Sequence, residues 1–129
     1  PDVWDAPEDT NKFWFKAYHA LYYAHLYLKT TSKDFVRWEK RRHLQDGVPF
    51  SKEEVLKYLA FVEREVADHV PVMDLDAKSG YQWLPSNKLE LQFYNIRHIQ
   101  QHTGELYERL SAHKNVKLGW VVQRHKEKK

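Results

Sequence analysis

Three stretches of this chain repeat their apolar residues every third or fourth position, and that period commits most of its length to α-helix. In "FWFKAYHALYYAHLYL", Phe15, Tyr18, His19, Tyr22, Tyr23 and Leu26 fall on one stripe. In "SKEEVLKYLAFVEREV", Val55, Leu59, Val62 and Val66 do the same. Over residues 87–112, Leu89, Phe93, Ile96, Ile99, Thr103, Leu106 and Leu110 share one broad face. Start and stop signals agree with the period. Thr10 or Asp9 can cap the first helix, which runs to about Leu28. Ser51, with Glu54 three residues on, is a capping box for the second, and Pro71 ends it. Pro85 and Ser86 open the third. A shorter helix is expected over 34–44, closed by "DGVP", and "NVKLGWVVQRH" reads as a short extended segment. The expectation is an all-α chain, and the usual antiparallel solution at this size is a four-helix bundle.

Composition narrows the function. One hundred and twenty-nine residues suit a single domain over 1–129 with one core. Aromatics spread through 15% of the chain argue against disorder, although 30% of residues are charged. Acids and bases interleave, leaving a net charge of only +3. The basic clusters "EKRRH" and "RHKEKK" read as solvated charge rather than as a nucleic-acid surface. The absence of cysteine excludes disulfides, thiolate metal sites and cysteine nucleophiles. With no apolar run of membrane length and no signal-peptide pattern, the expected location is cytoplasmic.

The residues that carry chemistry are histidines. His98 and His102 in "YNIRHIQQHTGEL" stand four apart, so on a helix they lie one above the other on one face. Neutral imidazole there suits a borderline ion such as zinc or nickel. The pair alone proves little, because eight histidines in 129 residues give such a spacing by chance about half the time. Ile99 follows the first histidine where the H-E-x-x-H zinc-protease motif needs glutamate, so the pair does not match that motif. A catalytic site usually takes three protein ligands and keeps one position open. His19, set among aromatics in the first helix, is the candidate third ligand, because an imidazole buried there needs a partner, which a metal, a tyrosine hydroxyl or a backbone carbonyl would supply. His25 is rotated away from it, and Asp68 with His69 is a reserve pair. His43, His113 and His125 sit in polar surroundings and read as solvated.

"FWFKAYHALYYAHLYL", "PFSKEEVLKYL" and "LELQFYNIRHIQQHTGEL", in that order, resemble the DinB-like superfamily, which includes the YfiT-type proteins. The likeness runs from about Phe13 to Leu110. It implies a DinB-like four-helix bundle with a long crossover, and a divalent metal, nickel or zinc, on three histidines. By position those are His19, His98 and His102, the same three that spacing and burial select. Family members carry a further long helix before the first ligand helix, whereas here only about nine loop-like residues precede it. The first family helix is therefore absent or short in this chain. Either a natural beginning is missing or a partner chain, in a homodimer, fills that place.

The resemblance also implies the range of activities: a metal-dependent enzyme acting on a small molecule as a transferase or hydrolase, or a metal-stabilised dimeric stress-response or binding protein. Any thiol chemistry must use an external low-molecular-weight thiol, since the chain has no cysteine. Asn95, Gln101 and Glu105 lie within a turn of a ligand and are the candidates to orient it. Glu105 is equally placed for an ordinary pair with Arg109 four residues on. Tyr18, Tyr22, Tyr23 and Tyr94 belong either to the core or to a pocket wall.

Overall fold

A computed structural model describes residues 3–6, 11–38 and 49–120. Among them the regular structure is helical and no strand forms, in keeping with the all-α expectation. The long helices are α1 (Phe13–Leu26), α2 (Lys52–His69) and α3 (Lys88–Lys114). The expected caps Asp9 and Thr10 lie outside the described residues. So do most of the expected short helix over 34–44, the two basic clusters, His43 and His125.

Where local chemistry is strong, the boundaries follow it. The Glu54 backbone N–H donates to Ser51 Oγ at 3.1 Å, and the Ser51 N–H donates to the Glu54 carboxylate at 2.7 Å. Two of the free donors at that end of α2 are thereby satisfied. At the other end Pro71 sits in a single 3-10 turn, Val70–Val72, and the α-helix stops at His69. The cap of α3 is Asn87 rather than Ser86, its side chain accepting from the Glu90 N–H at 2.9 Å. Asn115 closes α3 in the left-handed region at φ 51°, a conformation that asparagine tolerates. The predicted start of a helix at Asp34 is instead the end of a 3-10 turn, Ser32–Asp34, closed by a capping box with Thr31. Residues 35–38 continue without helix. The box holds the chain in a tight turn that leaves the helical path.

α1 is the central element, in contact with both other helices. It runs parallel to α2: Tyr18 meets Phe50 and Tyr58, and further along Lys29 meets Glu65. Parallel neighbours need a crossing connection, which the chain between Leu26 and Lys52 supplies. Against α3 the direction reverses, because His102 meets His19 whereas Leu91 packs with Leu26 and Tyr27.

The α1–α2 side is an aromatic core of Trp14, Tyr18, Ala24, Phe50, Val55, Tyr58 and Val62. Tyr18 stacks on Phe50 at 4.6 Å between ring centroids, and the rings of Trp38 and Tyr58 stack at 4.8 Å. The segment 3–6 is tied on by the Trp4 indole N–H, which donates to Phe50 O at 2.7 Å. His25 points into this core, 2% exposed, with Nδ1 at 3.0 Å from the Tyr58 hydroxyl. Six residues turn a helix by roughly 240°, so His25 faces α2 while His19 faces α3.

The apolar faces read from the sequence are only partly covered. On α2, Val55 and Val62 are buried, but Leu59 and Val66 remain exposed. On α3 the expected face is largely outside: Leu89, Phe93, Ile96 and Ile99 are exposed, Phe93 by 65%. The face turned to α1 carries Lys88, Leu91, Asn95, His98 and His102 instead. The physical reason is Lys88. Its buried ammonium donates to Lys29 O and Thr30 O, each at 2.9 Å, and to Ser79 O. These bonds fix the rotation of α3 from its first residue. No helix among the described residues is long and apolar enough to cross a membrane.

Two outcomes test this arrangement. Lys88→Met removes the ammonium that donates to Lys29 O, Thr30 O and the buried Ser79 O, and is expected to lower unfolding free energy by about 3 kcal/mol. Lys57→Met, in an exposed pair with Glu53, is expected to change it by less than about 0.5 kcal/mol. Urea denaturation measures both, and equal effects would remove Lys88 from its role. His25 gives a pH signature. Burial in the folded chain lowers its pKa from 6.5 to about 4, so the unfolded chain binds the extra proton. Its contribution is complete above about pH 6.5 and is lost as pH falls through 4. His19 and His98, also lowered, act in the same direction. Between pH 7 and 4.5, metal-free His25→Gln should lose about 2 kcal/mol less than wild type.

Candidate metal centre

The two long arms of the α1–α3 pair bring three imidazoles together. One ligating nitrogen from each of His19, His98 and His102 lies within 4.8 Å of the other two, and all three residues are half-buried. His98 and His102 arrive as the helical i,i+4 pair. Their Nε2 atoms approach to 3.1 Å, with ring planes nearly perpendicular. His19 comes from the opposite helix, its ring centroid 4.8 Å from His102 and 5.2 Å from His98. Ligands 2.0–2.1 Å from a tetrahedral zinc ion stand about 3.3 Å from one another. The His98–His102 pair is thus near the spacing an ion requires, and a small inward shift of His19 completes three donors.

The electrostatics keep two of these rings, His19 and His98, available. Burial lowers the His19 pKa to about 4, helped by the neighbouring His102 and His98 and by Lys16. Burial, then His102, also holds His98 below its ordinary value. Neutral imidazoles offer lone pairs to a cation at neutral pH, whereas imidazolium would repel it.

Glu105 supplies the orientation. Its carboxylate lies 3.3 Å from His102 Nδ1 and pairs with the Lys16 ammonium. The bond from Lys16 comes first among the causes that lower its pKa to about 2, so it is a carboxylate at any ordinary pH. A carboxylate only accepts, which places the proton of His102 on Nδ1 and leaves the Nε2 lone pair directed at His98. Either a proton on His98 Nε2 or a cation must then occupy that 3.1 Å approach.

Aromatic rings enclose the cluster. Tyr23 lies 4.8 Å from His19 and 5.4 Å from His98, Phe15 lies 6.1 Å from His19, and Tyr94 is parallel to His98 at 6.4 Å. Of the four tyrosines singled out in the sequence, Tyr23 and Tyr94 flank the site, Tyr18 is core, and Tyr22 packs against both apolar clusters.

The remaining candidates sort clearly. Gln101 is exposed, and Asp68 is exposed at the far end of α2. His69 pairs with Glu65 at 2.9 Å, away from the three-histidine group. His113 is exposed, as its polar surroundings implied. Glu105 does not take the expected surface pairing: Arg109 reaches Asn11 O instead. Lys16 was not singled out by the sequence reading. Its position three residues before His19, on the same helical face, was the available signal.

No family model, no curated protein and no solved structure matches this chain.

Proposed function

We propose that the chain binds one divalent metal ion, zinc or nickel, through His19, His98 and His102, and uses it in a reaction on a small molecule. The observation that carries this reading is the convergence of three imidazoles from two helices within 4.8 Å. Random surface histidines do not share a half-buried site with a carboxylate that fixes one of their tautomers. Three nitrogen ligands fit a site with an open position better than a closed structural site. Such an ion supplies Lewis acidity, or a seat for the sulfur of an external low-molecular-weight thiol. The chain's own part is to orient His102 through Glu105, to neutralise Glu105 with Lys16, and to wall the site with Tyr23, Tyr94 and Phe15. The resemblance to DinB-like bundles, drawn from the sequence motifs, supports the same three ligands and a transferase or hydrolase activity within a four-helix bundle.

Metal analysis by mass spectrometry tests the site. Wild type is expected to carry about one zinc or nickel ion per chain, and His98→Ala to carry none. Wild type that takes up neither ion after incubation overturns the reading.

A second reading, a metal-stabilised bundle that acts as a homodimeric binding protein without turnover, is favoured by the uncovered apolar faces. Leu89, Phe93 and Ile96 on α3 are 43%, 65% and 52% exposed, and α2 adds Leu56, Leu59 and Val66. Apolar side chains exposed along a helix face in this way mostly mark an interface. Light scattering is expected to give a dimer mass for wild type and a monomer mass for Phe93→Lys with unchanged helicity. A monomeric wild type sinks the homodimer.

A further inference from the structure

Among the described residues, two buried polar atoms near the site have no hydrogen-bond partner: Asn95 Oδ1 and His98 Nδ1. A buried polar atom left unpaired is destabilising, so two of them three residues apart on one helix call for an explanation. They lie on successive turns of the α3 face that meets α1, where residues three apart are neighbours. Their chemistry is complementary. The amide oxygen of Asn95 can only accept. The imidazole nitrogen of His98 can donate, but only in the tautomer that carries its proton on Nδ1.

That tautomer is the one the site needs. His98 presents Nε2 to His102 Nε2 at 3.1 Å, so Nε2 is the atom placed to ligate. When it ligates, the ring's proton must sit on Nδ1 and requires an acceptor. The orientation of Asn95 is already set for this. Its amide nitrogen points to Ala24 O at 3.5 Å, a long contact that nonetheless settles which end of the amide is the oxygen. An oxygen facing Ala24 O would be repelled. The side chain is 5% exposed, which shields it from competing water.

We infer that Asn95 is a positioning residue of the metal centre, its Oδ1 accepting the His98 Nδ1–H, directly or through one water, when an ion occupies the three histidines. This rests on the metal-binding reading above. It gives two of the three ligands a fixed tautomer from different sources, the Glu105 carboxylate for His102 and the Asn95 amide for His98. With Glu105 neutralised by Lys16, a neutral acceptor at the second position adds no further charge.

The test is zinc affinity by competition with a chromophoric chelator, joined to ¹⁵N imidazole spectra of zinc-loaded protein. The spectra of wild type are expected to show His98 bound through Nε2 with a slowly exchanging Nδ1–H. Asn95→Leu, similar in size without an acceptor, should bind zinc about 10–100-fold more weakly and exchange that proton faster. Asn95→Asp, which keeps the acceptor, should bind at least as tightly as wild type even if its metal-free form is less stable. Zinc-loaded wild type that binds through His98 Nδ1 overturns the inference without recourse to any variant. So does an Asn95→Leu protein with wild-type affinity and the same Nδ1–H signal, while the metal site itself stands. Wild type that binds no zinc removes both.

Discussion

The arrangement of this protein depends on one buried lysine. Lys88 is the first residue of α3, 5% exposed, and its ammonium is spent on Lys29 O, Thr30 O and Ser79 O. Burial holds its pKa below the ordinary lysine range, partly offset by Asp34, yet three carbonyl acceptors are what a charged ammonium needs. Two of those carbonyls lie just past the C-terminal end of α1, where free acceptors and the helix dipole both favour a cation. Tyr81 adds to the same junction, its hydroxyl donating to Leu26 O and Lys29 O. Gly80 lets the two segments close: at φ +85°, a Cβ there would stand 1.9 Å from Thr30 O.

From that junction the register propagates by helical geometry. Asn95 meets Ala24, His98 and His102 meet His19, and Glu105 meets Lys16, each step up α3 matched by a step down α1. The three-histidine cluster therefore lies about three turns from the clamp and inherits its precision. The same helix solves two problems with two histidines. His25 is neutralised by burial and paired with Tyr58 in the aromatic core, whereas His19 joins a cluster of lone pairs that a cation can satisfy.

The clamp also explains why so much apolar surface is left over. α3 has two candidate faces, one polar and histidine-bearing, one apolar through Leu89, Phe93 and Ile96. Packing area alone would turn the apolar face inward. Three charge-assisted hydrogen bonds to Lys88, with the Lys16–Glu105 pair further along, set the rotation the other way. The three-histidine face turns inward and leaves an apolar stripe uncovered.

The sequence by itself determined what local chemistry can determine. The 3–4 period gave three helices. The Ser51–Glu54 box and Pro71 bounded α2, and the i,i+4 spacing put His98 beside His102, because each of these interactions closes within one turn of the chain. His19 was legible more indirectly, as an imidazole stranded among aromatics. Only the tertiary structure decided which face of α3 turns inward, since that follows from Lys88 reaching carbonyls 58 and 59 residues away. It also moved Glu105 from the expected neighbour Arg109 to His102 and to Lys16, 89 residues distant. Helical periodicity reports where apolar residues recur; it carries no information about which long-range polar bond will overrule them.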